Sequence, residues 1–214
     1  MAVLEHYLPH FDAVLRHAVV IPTPPDDAYA SLLGFDFAQM CEPVGRAIED
    51  MRDLPRFIAD LAHRGRRLPH DARFILADAP RSGLLRLSED PRRHLVLGAV
   101  GRLWKPRFEL LQLTREEFLA FREAKYVKAA FGFVVRPYGK GRAMLRHESR
   151  FLATDDSART HFRRAWEVAE PFAAFFMGRA LKALTAAVTE QQAATRPPPP
   201  WRRRFPARPP APAG

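Results

Sequence analysis

One stretch limits the folds open to this chain more than any other: residues 155–193 read as a single long amphipathic helix. Phe162, Trp166, Ala169, Phe172, Phe176, Ala180, Leu184 and Val188 recur at steps of three and four and so share one stripe. Arg163, Arg164, Glu167, Arg179 and Lys182 take the other side. Thr154 or Asp155 supplies the N-cap, and Pro171, which has no amide hydrogen, predicts a kink in mid-helix. A stripe that long and that aromatic needs a large apolar partner. The strand-like runs that precede it are the only candidate.

Those runs begin at 14–21, whose β-branched end is stopped by Pro22, Pro24 and Pro25. A short helix follows, with Asp26 and Asp27 at its positive end and Gly34 at its close. Residues 37–68 have a helical pattern broken by Pro43 and Pro55. Further strand-like runs lie at 73–77, 83–88, 94–103, 108–113, 125–136 and 142–153. Their short spacing favours antiparallel pairing over helical crossovers. Thr114 and Glu117 have capping-box spacing, which predicts one or two helical turns after Thr114. Pro137-Tyr138-Gly139-Lys140-Gly141 reads as a hairpin turn. On either side of it the odd-numbered residues are the apolar ones, so Val127, Ala129, Phe131, Phe133 and Val135 should face the core together with Leu145, His147, Ser149 and Phe151. The even-numbered faces should meet water or a peripheral cover.

The chain has 214 residues, of which 47% are apolar. That predicts one medium domain over 14–194, a lead-in over 1–13 that is irregular at 6–11, and a disordered Pro/Arg-rich tail over 195–214. No run approaches the ~18 apolar residues of a membrane span, and the N-terminus has no basic start or apolar run, so neither a spanning helix nor a secretory signal is expected. A lone cysteine, Cys41, excludes an internal disulfide framework and fits a reducing compartment. With the abundance of Ala, Arg and Pro, this points to a bacterial cytoplasmic protein. Residues 196–214 hold five arginines and no acid, half of the net +10. The domain itself is therefore only moderately basic, which is no sign of specific DNA recognition.

Strand, short helices, a meander of strands and one long final helix: this order resembles the helix-grip fold of the START/Bet v 1-like (SRPBCC) superfamily, in particular its uncharacterised bacterial branch and the polyketide cyclase and lipid-transport types. The residues that carry the likeness are Pro24-Pro25-Asp26-Asp27-Ala28-Tyr29, the block His94 to Pro106, Lys125 to Phe131, Glu148 to Asp155, and Phe162 to Phe172. The resemblance implies an α+β fold in which a curved antiparallel sheet of about seven strands wraps the C-terminal helix. It also implies a cavity between them for an apolar ligand. It transfers no catalytic residue.

The expected cavity lining is Phe131, Phe133, Leu145, His147, Ser149, Phe151, Trp166, Phe172 and Phe176, holding a lipid, polyketide or aromatic metabolite. Each aromatic would fill a core equally well. His147 is the one candidate catalytic residue, as a general acid or base, though a hydrogen-bonded buried histidine fits the same position. No second member of a catalytic pair is fixed by spacing, so a binding module is favoured over a cyclase/aromatase-type enzyme. No metal-ligand motif and no phosphate loop occurs, so neither a metal nor a cofactor is expected. Gly98 and Gly101 read as a bend or bulge in a strand. In the tail, Arg202, Arg203 and Arg204 beside Trp201 and Phe205 suit weak contact with an anionic membrane or RNA.

Overall fold

Alternation along residues 127–153 decides which way the sheet faces. Strands β4 (Val127–Pro137) and β5 (Ala143–Ala153) pair antiparallel, with Phe133 opposite His147 and Phe131 opposite Ser149. The turn between them closes with the Tyr138 amide donating to the Arg142 carbonyl, while Gly139 and Gly141 take φ of 70° and 62°. That is the left-handed region glycine enters without a Cβ penalty. The odd-numbered residues of β5 are buried, as their apolarity demands.

The structure, a computed structural model, describes residues 2–40, 74–105 and 110–195. Among these, β1 (Ala13–Ile21), β2 (Leu85–Asp90) and β3 (His94–Gly101) join β4 and β5 in one antiparallel sheet of order β1-β5-β4-β3-β2. The helices are α1 (Ala2–Glu5), α2 (Pro25–Gly34), α3 (Arg115–Ala120) and α4 (Asp156–Thr195). Short 3-10 turns occupy Phe37–Met40 and Leu76–Ser82.

The expected count of about seven strands is corrected to five among the described residues. Run 73–77 becomes a single bridge, Asp36 to Ile75, leading into the 3-10 turn that contains Pro80. Run 108–113 supplies one bridge, Leu110 to Gly101. β2 already takes that side of β3 as far as Gly98, which leaves length for little more. Short apolar runs do not reveal by periodicity alone whether they will pair. The helical pattern assigned to 37–68 falls, after Met40, outside the described residues, as do Cys41 and the tail from 196 onward. Residues 2–5 of the lead-in are helical.

Packing follows the two sheet faces. On the inner face one cluster joins Ile21, Leu95, Leu97, Phe133 and Leu145 to Ala28, Tyr29 and Leu32 of α2 and to Leu181, Leu184 and Val188 of α4. A second joins Ala99, Val127, Ala129 and Phe151 to Ala158 and Phe162 near the start of α4. α4 runs through Pro171 as one helix and begins at Asp155, whose carboxylate accepts from the Ala158 amide. It is long and apolar enough to cross a membrane by length and composition, and it packs one side against the sheet through residues of both inner clusters. The outer face is covered in part by Leu4, Tyr7 and Leu8 from the N-terminal segment and by Phe118 of α3, whose capping box forms as expected.

Gly98 shows why a strand carries glycine here. β2 slips register between Arg86 and Ser88, so the buried Leu87 lies over Gly98. A Cβ there would come within 2.7 Å of Leu87 Cδ1 and 3.2 Å of Phe118 Cε2. Gly98→Ala is expected to cost about 1 kcal/mol of stability, since the Leu87 tip can shift only partly in a packed cluster. Urea unfolding measures it, and an unchanged midpoint would show that the cluster yields freely.

Candidate functional site

The two inner clusters leave a polar girdle between them, built by three side chains from two neighbouring strands. His17 on β1 faces His147 on β5 in register, and Ser149 is next but one on the same face. His147 and Ser149 are buried. The two imidazole rings stack with centroids 6.4 Å apart, and Phe133 lies 4.6 Å from the His147 ring. His17 Nε2 lies 3.0 Å from the Ala174 carbonyl of α4. A carbonyl only accepts, so Nε2 carries a proton, and in the neutral tautomer Nδ1 is then the ring's acceptor. His147 Nε2 and Ser149 Oγ share a hydrogen bond of 2.8 Å. The Nδ1 atoms of both histidines are buried without a hydrogen-bond partner among the described residues. Such groups are uncommon in folded interiors because each forfeits its hydration.

Electrostatics sets what this girdle can do. Complete burial pushes the His147 pKa down to about 3; His17 beside it adds to the effect, and a polar contact with the Gly132 backbone opposes it. His147 is therefore a neutral imidazole at physiological pH. It can donate or accept a hydrogen bond but is a poor proton donor there, unlike the near-neutral acid or base expected from an ordinary histidine.

The structure brings most of the expected lining together. Phe131 meets Phe151 edge to face at 6.0 Å, and Phe151 lies 4.6 Å from Trp166, which stacks on Phe162 at 5.7 Å. Leu145 is fully buried beside Phe133 in the other cluster. Phe172 and Phe176 are half-buried and belong to neither inner cluster. At mid-helix the sheet meets Ala174, Met177 and Gly178 instead: Met177 packs on the first cluster, and a Cβ on Gly178 would lie 3.8 Å from the His17 ring. Small residues there bring the helix backbone close enough to bond His17.

His17 is the site residue that sequence reasoning missed. It lies on the same alternating face as Leu15 and Val19, and that parity was the available signal. Lys128 was missed too, on the outer face. It is buried with its ammonium 4.8 Å from the Phe118 ring centre, and burial, then Arg122, lowers its pKa to about 8. Among the described residues no three His, Cys, Asp or Glu side chains converge to hold a metal.

No protein-family model matches the chain, and no curated protein matches it. Solved structures do. TTHA0849 from Thermus thermophilus is 11% identical over 86% of this chain and all of its own, with a TM-score of 0.33. The Zhui aromatase/cyclase from Streptomyces sp. R1128 is 11% identical, covering 85% of this chain and 95% of its own, at 0.31. The di-domain ARO/CYC BexL from the BE-7585A biosynthetic pathway is 12% identical, covering 81% of this chain and 47% of its own, at 0.36. The fold is a helix grip. That follows from this chain's own curved antiparallel sheet and long final helix. Scores and identities this low carry no argument about what the chain does.

Proposed function

We propose that this helix-grip chain binds a hydrophobic small molecule between the inner sheet face and α4. A hydroxyl or carbonyl of the ligand would be held at the His17–His147–Ser149 girdle. The observation that carries the reading is the pair of buried Nδ1 atoms that have no hydrogen-bond partner among the described residues, set between two apolar clusters. One is a lone pair that accepts from a ligand hydroxyl. Apolar walls with a few placed polar groups are the usual make-up of small-molecule sites.

Gly178 offers the test. Gly178→Leu puts a side chain against His17 and removes a helix-interior glycine, which favours folding by up to about 1 kcal/mol. With the neutral dye Nile red as probe, the unmodified chain is expected to bind one equivalent with a blue-shifted emission. Gly178→Leu should weaken that binding at least about fivefold with no loss of stability. Equal binding by both proteins, or none by either together with only the bare chain mass in native mass spectrometry, would overturn the proposal.

A second reading, a cyclase-type reaction, is favoured by one feature only: Ser149 and His147 lie in hydrogen-bond contact, with His17 stacked beside them. The depressed His147 pKa weighs against it as a proton donor. The binding reading is therefore preferred.

A further inference from the structure

The outer sheet face has an uncovered half with a different chemistry. The N-terminal segment and α3 cover the part holding Val96, Val100 and Ala130. Past Gly132 the cover ends, and a hollow of about 250 Å³ opens beside Val3 and Leu4 of α1. Gly132 sets its edge, since a Cβ there would meet the Leu4 side chain at 3.1–3.3 Å. Ala18 and Val134 are also in its lining, and Arg16, Arg136 and Arg146 are its cations.

Register fixes how those cations stand. Arg146 on β5 lies opposite Val134 on β4 and Ala18 on β1. Arg136 is two residues along β4, on the same face, so the two guanidinium groups are diagonal neighbours flanking Val134. The hollow has one acid, Glu148, and it already bonds Arg16 at 3.3 Å and Arg150 at 2.7 Å. A second trough shares Val3, Val134 and Arg136. Its acids are engaged as well: Asp26 with Arg92 at 3.3 Å and Asp90 with Arg93 at 3.9 Å. Arg136 and Arg146 are exposed and make no ion pair among the described residues. Two like charges so placed repel, and an anion between them reverses the sign of that interaction. Guanidinium forks suit a carboxylate or phosphate in particular, because each can meet two oxygens at once.

We infer that this hollow binds a small organic acid, its carboxylate or phosphate head between Arg136 and Arg146 and a compact apolar body against Val3, Ala18 and Val134. His17 and His147 also border the hollow, but their rings turn to the inner face, toward Ala174 and Phe133, so the arginines and the apolar wall used here are on the opposite side of the sheet from those rings. The hollow's affinity falls with added salt, because the two guanidinium groups lie exposed to solvent.

Isothermal titration of the full chain at low salt with benzoate, phenyl phosphate and benzyl alcohol tests this. At least one of the two anions is expected to bind at millimolar concentration or below, and the comparison between them identifies the head group. The neutral alcohol should not bind. The double variant Arg136→Ala, Arg146→Ala should lose at least about tenfold in affinity for that anion while keeping its circular dichroism and its Nile red binding. Equal binding of the neutral alcohol, undiminished binding in the double variant, or no binding of either anion would each overturn the inference.

Discussion

Arg150→Ala is expected to lower stability by about 3 kcal/mol, the largest effect of any single side chain outside the apolar core. The Arg150 side chain has 1% of its surface exposed. It donates to the Leu8 carbonyl at 2.9 Å, to Glu148 at 2.7 Å and to Glu5 at 2.7 Å, and it lies 4.8 Å from the Phe11 ring centre. Burial works against its charge, but Glu5 and Glu148 outweigh this and hold the pKa above the ordinary arginine value. Every partner except Glu148 comes from the first eleven residues. The substitution therefore leaves the Leu8 carbonyl without its donor and frees the segment that covers the outer face. Urea unfolding should show the loss, and limited proteolysis should cut before β1 in the variant alone. A loss under about 1 kcal/mol, with the segment still protected, would mean that Tyr7 and Leu8 dock it without help from the charge.

The second large effect is one of pH. An unfolded histidine titrates near 6.5, whereas His147 in the fold titrates near 3. Between those values the unfolded chain holds a proton that the folded chain does not. Acid therefore favours unfolding, and the contribution is intact above 6.5 and lost as pH falls. From roughly pH 7.5 to pH 5 this one group should remove about 2 kcal/mol. The carboxylates of Glu5, Glu148 and Asp155 are held below their usual range and give up their stabilisation mainly at lower pH. The double variant His147→Leu, Ser149→Ala removes the titrating group and its hydroxyl partner together. Urea midpoints measured at both pH values should converge in that variant. The same acid loss in both proteins would show that another group is responsible.

Much of this fold could be read from residues, and the reasons are particular. β4 and β5 were legible because their odd-numbered residues are the apolar ones that line the inner face, although the covered part of the outer face buries Lys128, Ala130 and Arg150 as well. α4 was legible because its ends carry Phe162 and Leu184 at helical spacing onto two separate clusters. Its middle was not. The stripe drawn through Phe172 and Phe176 assumed one continuous contact, while the sheet there meets Ala174 and Gly178, and small residues leave no hydrophobic signal. Arg150 lies, as alternation requires, on the even-numbered face of β5, the face that should meet water or a peripheral cover. No local pattern announces that residues 4–8 fold over it. The girdle was half visible: His147 and Ser149 stood out among apolar neighbours. His17 did not, since what joins it to them is strand order, and strand order is set by packing across the whole chain.

That strand order has a consequence for how the protein is made. Among the described residues β1 is paired within the sheet to β5 alone, with Ala13 opposite Phe151 and Ile21 opposite Ala143. The first strand to be synthesised must wait for the last before it gains a neighbour. Closing so long a loop comes late in folding and slows it. Until then Val14 to Ile21 is an unpaired β-branched segment on a growing chain, open to other unpaired strands and in need of shelter as translation proceeds.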